Sequence, residues 1–191
     1  TLSLHDALPI CGTAVDSIEV MENPTATIFP AYPDLCITDP AISLTQGSGL
    51  PTGGTETYSG NGVSGNQSTG YFFTPSSAGV GQHAITYCYT APNGCETCVT
   101  QNITVNDVPT ASFSSIQPDL LCENSGPLDL TPYGTPLGGY FTGVGVQSDS
   151  TTLKPGQMGG PGTYTLTYIF VDTTGCSDQA TNPVTINPKP I

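Results

Sequence analysis

The strongest constraint on the fold is that the chain repeats itself. Residues 83–95 read HAITYCYTAPNGC and residues 164–176 read YTLTYIFVDTTGC, so a shift of 81 residues places Cys95 on Cys176. Self-similarity at a fixed spacing is the signature of structural units that follow one another in tandem. We therefore expect two domains of the same fold.

Proline-rich joints mark the ends of the repeats. Each begins at a Pro-Thr-Ala sequence that directly follows a strand-like segment, and the spacing gives repeats of about 80–85 residues. We predict one domain at 24–108 and a second at 109–191. Residues 11–23 match the last strand of a further, truncated copy. Residues 1–10 depart from the repeat pattern and resemble translated adapter sequence, which predicts a leader that is not native.

Apolar residues in the repeated segments alternate with polar ones. Ile85, Tyr87 and Tyr89 share one side of a predicted strand, as do Leu166 and Tyr168 in the second copy. A period of two is typical of β-strands. The 23 glycines and 18 prolines supply turns between short strands. The pattern predicts an all-β fold of tandem immunoglobulin-like Greek-key β-sandwich domains.

The charge excludes two classes of partner. Two lysines stand against 15 acidic residues, and the net charge is −13. Nucleic acids require Lys or Arg for their phosphates, and an anionic membrane surface repels such a chain. No apolar run reaches the ~18 residues of a membrane span. We expect no nucleic acid and no membrane insertion within this segment.

The cysteines of the two repeats predict disulfides. Each repeat has one cysteine near its start and one in its predicted hairpin, and the first repeat adds a pair that straddles the turn at Asn93. Matching these positions gives the scheme Cys36–Cys95, Cys122–Cys176 and Cys88–Cys98, with Cys11 unpaired. Closing loops of about 55–60 residues stabilises a fold by roughly 4 kcal/mol on the chain-entropy model. Disulfides indicate an oxidising, extracytoplasmic compartment.

Two other cysteine chemistries stay open. Residues 95–98 form a C-x-x-C, which with Cys36 and Cys88 would supply four zinc ligands, or by itself a redox dithiol. The second repeat retains only two of these four positions. That loss favours structural disulfides, because a four-ligand site does not tolerate it.

Catalytic residues are not predicted. His83 is the candidate general base, but Tyr164 takes its place in the second repeat, which indicates a packing role. The glycine runs at 60–65 and 143–145 lack a following Lys and helix, so they are interpreted as turns. The expectation is a protein without enzymatic activity.

The sequence predicts no cofactor, and calcium at the joint between the repeats is the one alternative. Asn106-Asp107 offers oxygen ligands at the joint between the repeats. The matching joint reads Asn187-Pro188, and no EF-hand loop is present. A calcium site would therefore belong to one joint only.

The full repeat pattern resembles a known family. It reads C…L-T…G-x-G-V…F-x-P…G-x-G…I-T-Y-x-Y-T…G-C…I-T-V-N…P-T-A, and it covers residues 11–191. In repeat 1 it is carried by Cys36, Leu44, Gly60, Gly62, Val63, Phe73, Pro75, Gly79, Gly81, Ile85, Tyr87, Gly94, Cys95 and Val105. In repeat 2 it is carried by Cys122, Leu130, Gly143, Gly145, Pro155, Tyr168, Gly175 and Cys176. The pattern is similar to the immunoglobulin-like or PKD-like repeats of large secreted and cell-surface proteins of gliding bacteria, which typically use type IX secretion.

The resemblance implies an extracellular or cell-surface segment of a larger bacterial protein. Its role would be structural or adhesive, as a stalk or adhesin, and its partners would be neighbouring repeats of the chain, surface glycans or other cells. The alternative is an accessory or carbohydrate-binding module of a secreted multidomain enzyme. Tyrosines exposed on a sheet face would favour sugar binding, and the candidates are Tyr58, Tyr71 and Tyr140.

Overall fold

Alternating apolar residues and short polar turns fold this chain into β-strands joined by turns and loops, with little helix. The structure is a computed structural model that describes residues 21–116 and 121–190, together with the backbone of 2–4 and 16–18. It divides into two compact units. The first contains Thr1–Asp34 and Asp39–Val105, and the second contains Leu35–Thr38 and Asn106–Ile191. The assignment of Leu35–Thr38 to the second unit has no counterpart in the predicted domains 24–108 and 109–191.

The strands up to Asn106 are short, except for a final long hairpin. They are β1 (Leu2–Leu4), β2 (Asp16–Ile18), β3 (Thr25–Ile28), β4 (Leu35–Cys36), β5 (Ile42–Ser43), β6 (Gly47–Leu50), β7 (Thr55–Ser59), β8 (Val63–Asn66), β9 (Gly70–Phe73), β10 (Gly81–Thr90) and β11 (Glu96–Asn106). One helix, α1 (Pro75–Ala78), precedes the hairpin.

The strands after Asn106 follow the same plan. They are β12 (Ser112–Phe113), β13 (Leu121–Cys122), β14 (Leu128–Asp129), β15 (Gly134–Thr135), β16 (Tyr140–Thr142), β17 (Thr152–Leu153), β18 (Gly162–Val171) and β19 (Ser177–Asn187). Two short 3₁₀ turns lie at Thr131–Tyr133 and Pro155–Gln157. Within the part of the chain that the structure describes, no helix has the length and apolar character needed to cross a bilayer.

The first unit contains four small sheets. The hairpin β10–β11 continues into β7, and the other three sheets are β1–β2, β3–β6 and β5–β9–β8. Ile37, the residue after β4, belongs to the second unit, and its N–H donates to the Asn106 carbonyl oxygen of the same unit at 2.9 Å.

The second unit repeats this topology. Its main sheet has the order β13–β19–β18–β16, and smaller sheets are formed by β12–β15 and β14–β17. Strand β13 runs parallel to β19, with Cys122 opposite Asn187. The remaining pairs are antiparallel. The fold is all-β, with tandem immunoglobulin-like sandwiches, as the alternation of residues predicted.

The core of each unit lies on the predicted inner face of its long hairpin. Ile85, Tyr87 and Tyr89 are buried in the first unit, and Leu166 and Tyr168 are buried in the second. The predicted inward face is therefore confirmed. Small sandwiches bury a limited share of their surface. Large aromatic side chains, such as Phe73, Tyr87, Phe141 and Tyr168, make up much of the buried core.

The recurring Gly-Cys has a conformational cause. Gly94 and Gly175 close the two hairpin turns with φ values of 84° and 91°. Side chains with a Cβ atom disfavour this left-handed region, whereas glycine adopts it readily. Each turn thus requires glycine at the position directly before its cysteine.

Candidate functional site

The first cysteine pair bridges the hairpin of the first unit. Cys88 in β10 lies directly opposite Cys98 in β11. The two residues form a disulfide with a Cα–Cα distance of 4.1 Å. This is the pairing that the sequence predicted. The bond occupies the outward face, on the side of the hairpin away from Tyr87 and Tyr89.

The other bond differs from the predicted scheme. Cys36 is bonded to Cys176, with a Cα–Cα distance of 5.7 Å and a sequence separation of 140. The predicted pairs Cys36–Cys95 and Cys122–Cys176 are not formed, and Cys95 and Cys122 are free. The bond joins a cysteine of sequence repeat 1 to one of repeat 2, and both lie in the second compact unit.

The direction of the strands keeps the predicted partners apart. Cys122 lies opposite Asn187, the last residue of β19, whereas Cys176 directly precedes Ser177, the first residue. At ~3.3 Å per residue, the 11 residues of β19 separate them by roughly 35 Å. A disulfide requires Cα atoms within about 7 Å. The two cysteines of one repeat therefore lie at opposite ends of one strand.

The first repeat obeys the same geometry. Ile37, which follows Cys36, bonds to Asn106 at the end of β11, and Cys95 directly precedes the start of β11. Cys36 and Cys95 therefore also lie at opposite ends of an 11-residue strand, too far apart for a disulfide. Cys11, which was predicted to be unpaired, lies outside the described residues.

The metal alternatives have little support in this arrangement. Among the described residues, the group of metal-ligating side chains within mutual reach is Cys88, Glu96 and Cys98, whose ligand atoms lie within 4.8 Å of one another. Two of these sulfurs are joined in a disulfide, and metals bind the thiolate form. The proposed Cys₄ zinc set would also need Cys36, which is bonded to Cys176.

The candidate calcium ligands Asn106 and Asp107 lie at the end of β11 and directly after it. Asn106 ends β11, and the Asp107 carboxylate accepts a hydrogen bond from the Val108 N–H at 2.9 Å. Calcium prefers six to eight oxygen ligands. Among the described residues, Asp107 does not belong to a group of three or more potential metal-ligating side chains, and calcium binding stays a prediction.

His83 takes part in a structural contact. Its Nε2 lies 2.7 Å from the carbonyl oxygen of Gly79, four residues earlier. In the second unit the Tyr164 hydroxyl donates to the carbonyl oxygen of Gly160, also four residues earlier, at 3.0 Å. The two side chains close the same turn. This equivalence explains why the position accepts either ring.

The three tyrosines named as sugar-binding candidates have different surroundings. Tyr58 is buried, with 6 % of its surface exposed, and its hydroxyl accepts a hydrogen bond from the Gly47 N–H at 2.6 Å. It is a core residue, so it does not offer the exposed ring that would favour sugar binding. Tyr71 is half-buried. Tyr140 is 41 % exposed.

Tyr71 lines an open cleft on the first unit. The cleft has a volume of ≈ 280 Å³ and is formed by the end of β5, by β7 and by the β8–β9 turn. Its lining includes the aromatic residues Tyr71 and Phe72 and the polar residues Glu56 and Gln67. The Tyr71 hydroxyl donates to the backbone carbonyl oxygen of Glu56 at 3.3 Å, which holds the ring in place. Aromatic walls with a few polar groups suit small polar ligands.

Comparisons with known proteins give structural similarities only. No family model matches the sequence, and no curated protein matches it. A Bacteroides ovatus surface glycan-binding protein, SGBP-B, in complex with a mixed-linkage heptasaccharide is 19 % identical, with 87 % of this chain and 48 % of that one covered and a TM-score of 0.32. The insect immune protein hemolin is 14 % identical, with coverages of 96 % and 54 % and a TM-score of 0.37.

A third solved structure is similar to the same degree. The protocadherin gammaB7 EC3-6 cis-dimer is 13 % identical, with coverages of 87 % and 48 % and a TM-score of 0.37. The chain thus spans about half the length of these proteins. The fold assignment above rests on the strand order and register of the chain itself.

Proposed function

We propose that this chain is a non-catalytic structural or adhesive segment of an extracellular bacterial repeat protein. The observation that carries the proposal is the Cys36–Cys176 disulfide, which ties together cysteines of two successive sequence repeats. A cross-link that encloses 140 residues of sequence separation limits how far the chain can be extended. Limiting extension is useful in a stalk or adhesin that is placed under load.

The chemistry of the cysteines supports an extracellular or cell-surface location. Disulfides persist in oxidising compartments and are rare where glutathione and thioredoxin keep thiols reduced. Two disulfides in a chain of this size are typical of secreted domains. The acidic surface, with a net charge of −13, supports solubility outside the cell.

A non-catalytic role is supported by the surroundings of the one histidine in the described residues. His83 is engaged with the Gly79 carbonyl oxygen, and its counterpart Tyr164 makes the matching contact. A general base must be able to reach a proton of the substrate. The hydrogen bond to Gly79 directs Nε2 towards the backbone.

Single-molecule force extension tests the structural role. Pulled from its two ends, the oxidised chain is expected to hide the residues between Cys36 and Cys176 until a reductant is added. The separation of 140 residues corresponds to roughly 480 Å of hidden length at 3.3–3.6 Å per residue. A Cys36→Ser/Cys176→Ser variant is the matched control and should extend fully without reductant. Full extension of the oxidised wild type would contradict a load-limiting role.

Sugar binding by the Tyr71 cleft is the second candidate function, as a module of a secreted enzyme. The observation that favours it is that Tyr71 lines one cleft together with the polar residues Glu56 and Gln67. A glycan array probed with the wild type and with Tyr71→Ala tests it, and Tyr140→Ala is the control because Tyr140 is exposed elsewhere. Binding that is lost only in Tyr71→Ala supports the module, and an array without any binding rejects it.

A further inference from the structure

The free thiol of Cys122 lies in the position that Cys36 holds in the first repeat. Both cysteines end a two-residue strand that begins with a buried leucine, Leu35 or Leu121. In both cases the next residue donates its N–H to the carbonyl of the last residue of a long strand, from Ile37 to Asn106 at 2.9 Å and from Glu123 to Asn187 at 3.1 Å. The local backbone that presents a bonded Cys36 is therefore reproduced around Cys122.

The free thiol of Cys95 matches Cys176 in the same way. Each follows a glycine with positive φ, and each accepts a backbone hydrogen bond that closes the turn, from Ala91 to Cys95 and from Asp172 to Cys176, both at 2.9 Å. The N–H of each cysteine is bound by a side-chain oxygen of the turn, Asn93 Oδ1 or Asp172 Oδ1, at 3.0 Å. The two hairpin ends thus present their sulfurs from equivalent backbones.

Burial separates the bonded hairpin cysteine from the free one. Cys176 is 1 % exposed and bonded to Cys36, whereas Cys95 is half-buried and free. Cys122 is also half-buried and free. The structure therefore contains one bond of this type, Cys36–Cys176, and a free cysteine equivalent to each of its two partners: Cys122 for Cys36 and Cys95 for Cys176.

We propose that Cys122 and Cys95 are the open ends of a head-to-tail series of disulfides. In this series, the cysteine after the β13-type strand of one repeat bonds to the hairpin cysteine of another repeat of this type, as Cys36 bonds to Cys176. The partner of Cys122 is a Cys95-type sulfur, and the partner of Cys95 is a Cys122-type sulfur. A contact of this heterologous kind joins repeats head to tail, because each repeat offers one end of each type.

The bond forms by thiol–disulfide exchange with a small disulfide oxidant such as glutathione disulfide. The Cys122 thiolate attacks the oxidant, forms a mixed disulfide and releases one glutathione thiolate. The Cys95 thiolate of the other repeat then attacks the Cys122 sulfur and releases the second glutathione. Two cysteine thiols and one glutathione disulfide become one cystine and two glutathione thiols, so atoms and electrons balance.

A tandem protein tests the series within one chain. Residues 1–190 are joined directly to residues 25–191, because Pro190 followed by Thr25 reproduces the natural Pro109-Thr110 joint. Cys11→Ser is included to remove the thiol outside the described residues. Two free thiols in each of two copies make four, and the expected bond between the first Cys122 and the second Cys95 leaves two. Peptide mapping under non-reducing conditions identifies the bond.

The tandem has a matched control and a clear contrary outcome. Cys95→Ser in the second copy should leave the first Cys122 open to alkylation, with Cys36–Cys176 intact. Alkylation of Cys122 in the unmodified tandem after treatment with glutathione disulfide would overturn a series within one chain. Mapping of Cys36–Cys95 and Cys122–Cys176 in the single chain would overturn the whole proposal.

Separate chains distinguish a partner in the same chain from a second copy. A Cys95→Ser variant, which keeps Cys122, is mixed with a Cys122→Ser variant, which keeps Cys95, both with Cys11→Ser. Selective head-to-tail pairing should give a larger share of mixed dimer than random pairing does. If the dimers form in random shares but the tandem forms its bond, the partner belongs to the same chain. In the tandem the bond should form at least about tenfold faster, because linkage raises effective concentration into the millimolar range. Random shares without the tandem bond reject the series.

The inference extends the proposed structural role to its covalent partner. Its tests read the position of a bond, whereas the force experiment reads the extension of the chain. A chain that resists extension but leaves Cys122 free would retain the structural role and lose the series. The reverse result would retain the series and lose the load-limiting role.

Discussion

Tyr89 and Tyr168 make the same two hydrogen bonds from positions that the sequence repeat does not align. The Tyr168 hydroxyl donates to the Pro136 carbonyl oxygen and accepts from the Gly139 N–H at 2.9 Å. The Tyr89 hydroxyl donates to the Pro51 carbonyl oxygen and accepts from the Gly54 N–H at 2.8 Å. By the shift of 81, however, the counterpart of Tyr168 is Tyr87.

Loop length explains the exchange. Pro51 lies four positions after Gly47, whereas Pro136 lies two positions after the equivalent Gly134. Two extra residues advance the loop along the strand by one full side-chain period, so the next tyrosine on the same face, Tyr89, meets it. The contact is conserved in kind between the units, although its residue has moved.

Removal of either hydroxyl should destabilise its unit. Tyr89→Phe leaves the Pro51 carbonyl and the Gly54 N–H without this partner, and Tyr168→Phe does the same in the second unit. Loss of a partner from partly buried groups costs about 1–3 kcal/mol. Urea unfolding followed by far-UV circular dichroism measures the change.

Tyr87→Phe is the matched control for these variants. The Tyr87 hydroxyl is buried, and among the described residues it makes no hydrogen bond of normal geometry. Burial, followed by the charge of Glu56, raises the pKa of Tyr87 well above its ordinary value, so the hydroxyl stays neutral. Its removal should be neutral or slightly stabilising. Equal losses in Tyr87→Phe and Tyr89→Phe would refute the importance of the loop contact.

The sequence contained the strand pattern but not the direction of the strands. Alternation along 83–90 identified the inward face, and the spacing of Cys88 and Cys98 about a turn placed them opposite each other. Both follow from local period and turn geometry. The parallel course of β13 beside β19 places Cys122 and Cys176 far apart, and a two-residue strand carries no local signal of its partner. The exchange between Tyr87 and Tyr89 likewise depends on a loop distant in sequence.

A methyl group at Gly134 should disrupt the second core. A Cβ atom there would lie 2.4 Å from the Tyr168 ring, inside van der Waals contact. Gly134→Ala should therefore cost about 1–3 kcal/mol, the usual range for overpacking. Gly126→Ala is the control, because a Cβ at Gly126 meets nothing within 4 Å. Thermal unfolding compares the two, and an unchanged Gly134→Ala would show that the ring moves away without cost.

Acid should weaken the second hairpin before the first. The Asp172 carboxylate accepts hydrogen bonds from the Thr174 hydroxyl at 2.6 Å and from the Cys176 N–H at 3.0 Å. These bonds, led by that of the Thr174 hydroxyl, lower the pKa of Asp172 below its ordinary value of 3.8. Their stabilisation is complete above that value and is lost as the pH falls through the lower folded-state pKa.

Matched variants isolate the Asp172 contribution. Asp172→Asn should lower the melting temperature at about pH 6, and its difference from wild type should shrink towards about pH 3. In the first hairpin the amide oxygen of Asn93 accepts from the Cys95 N–H and does not titrate. Asn93→Asp should therefore introduce a pH dependence there. A constant difference between Asp172→Asn and wild type across this range would contradict the assignment.

The hairpin disulfide should be dispensable for folding. The second unit has Ile169 opposite Gln179 at the positions of Cys88 and Cys98, and it forms the same hairpin without a bond. Cys88→Ile/Cys98→Gln therefore transplants a pair that the fold accepts. The bond closes a short loop with a sequence separation of 10, for which the chain-entropy model gives about 2–3 kcal/mol. We expect the variant to fold, with a free energy of unfolding that is lower by about this amount. Urea unfolding without reductant measures the difference. A variant that fails to fold would show that Cys88 and Cys98 specify the register of β10 and β11 rather than only stabilise it.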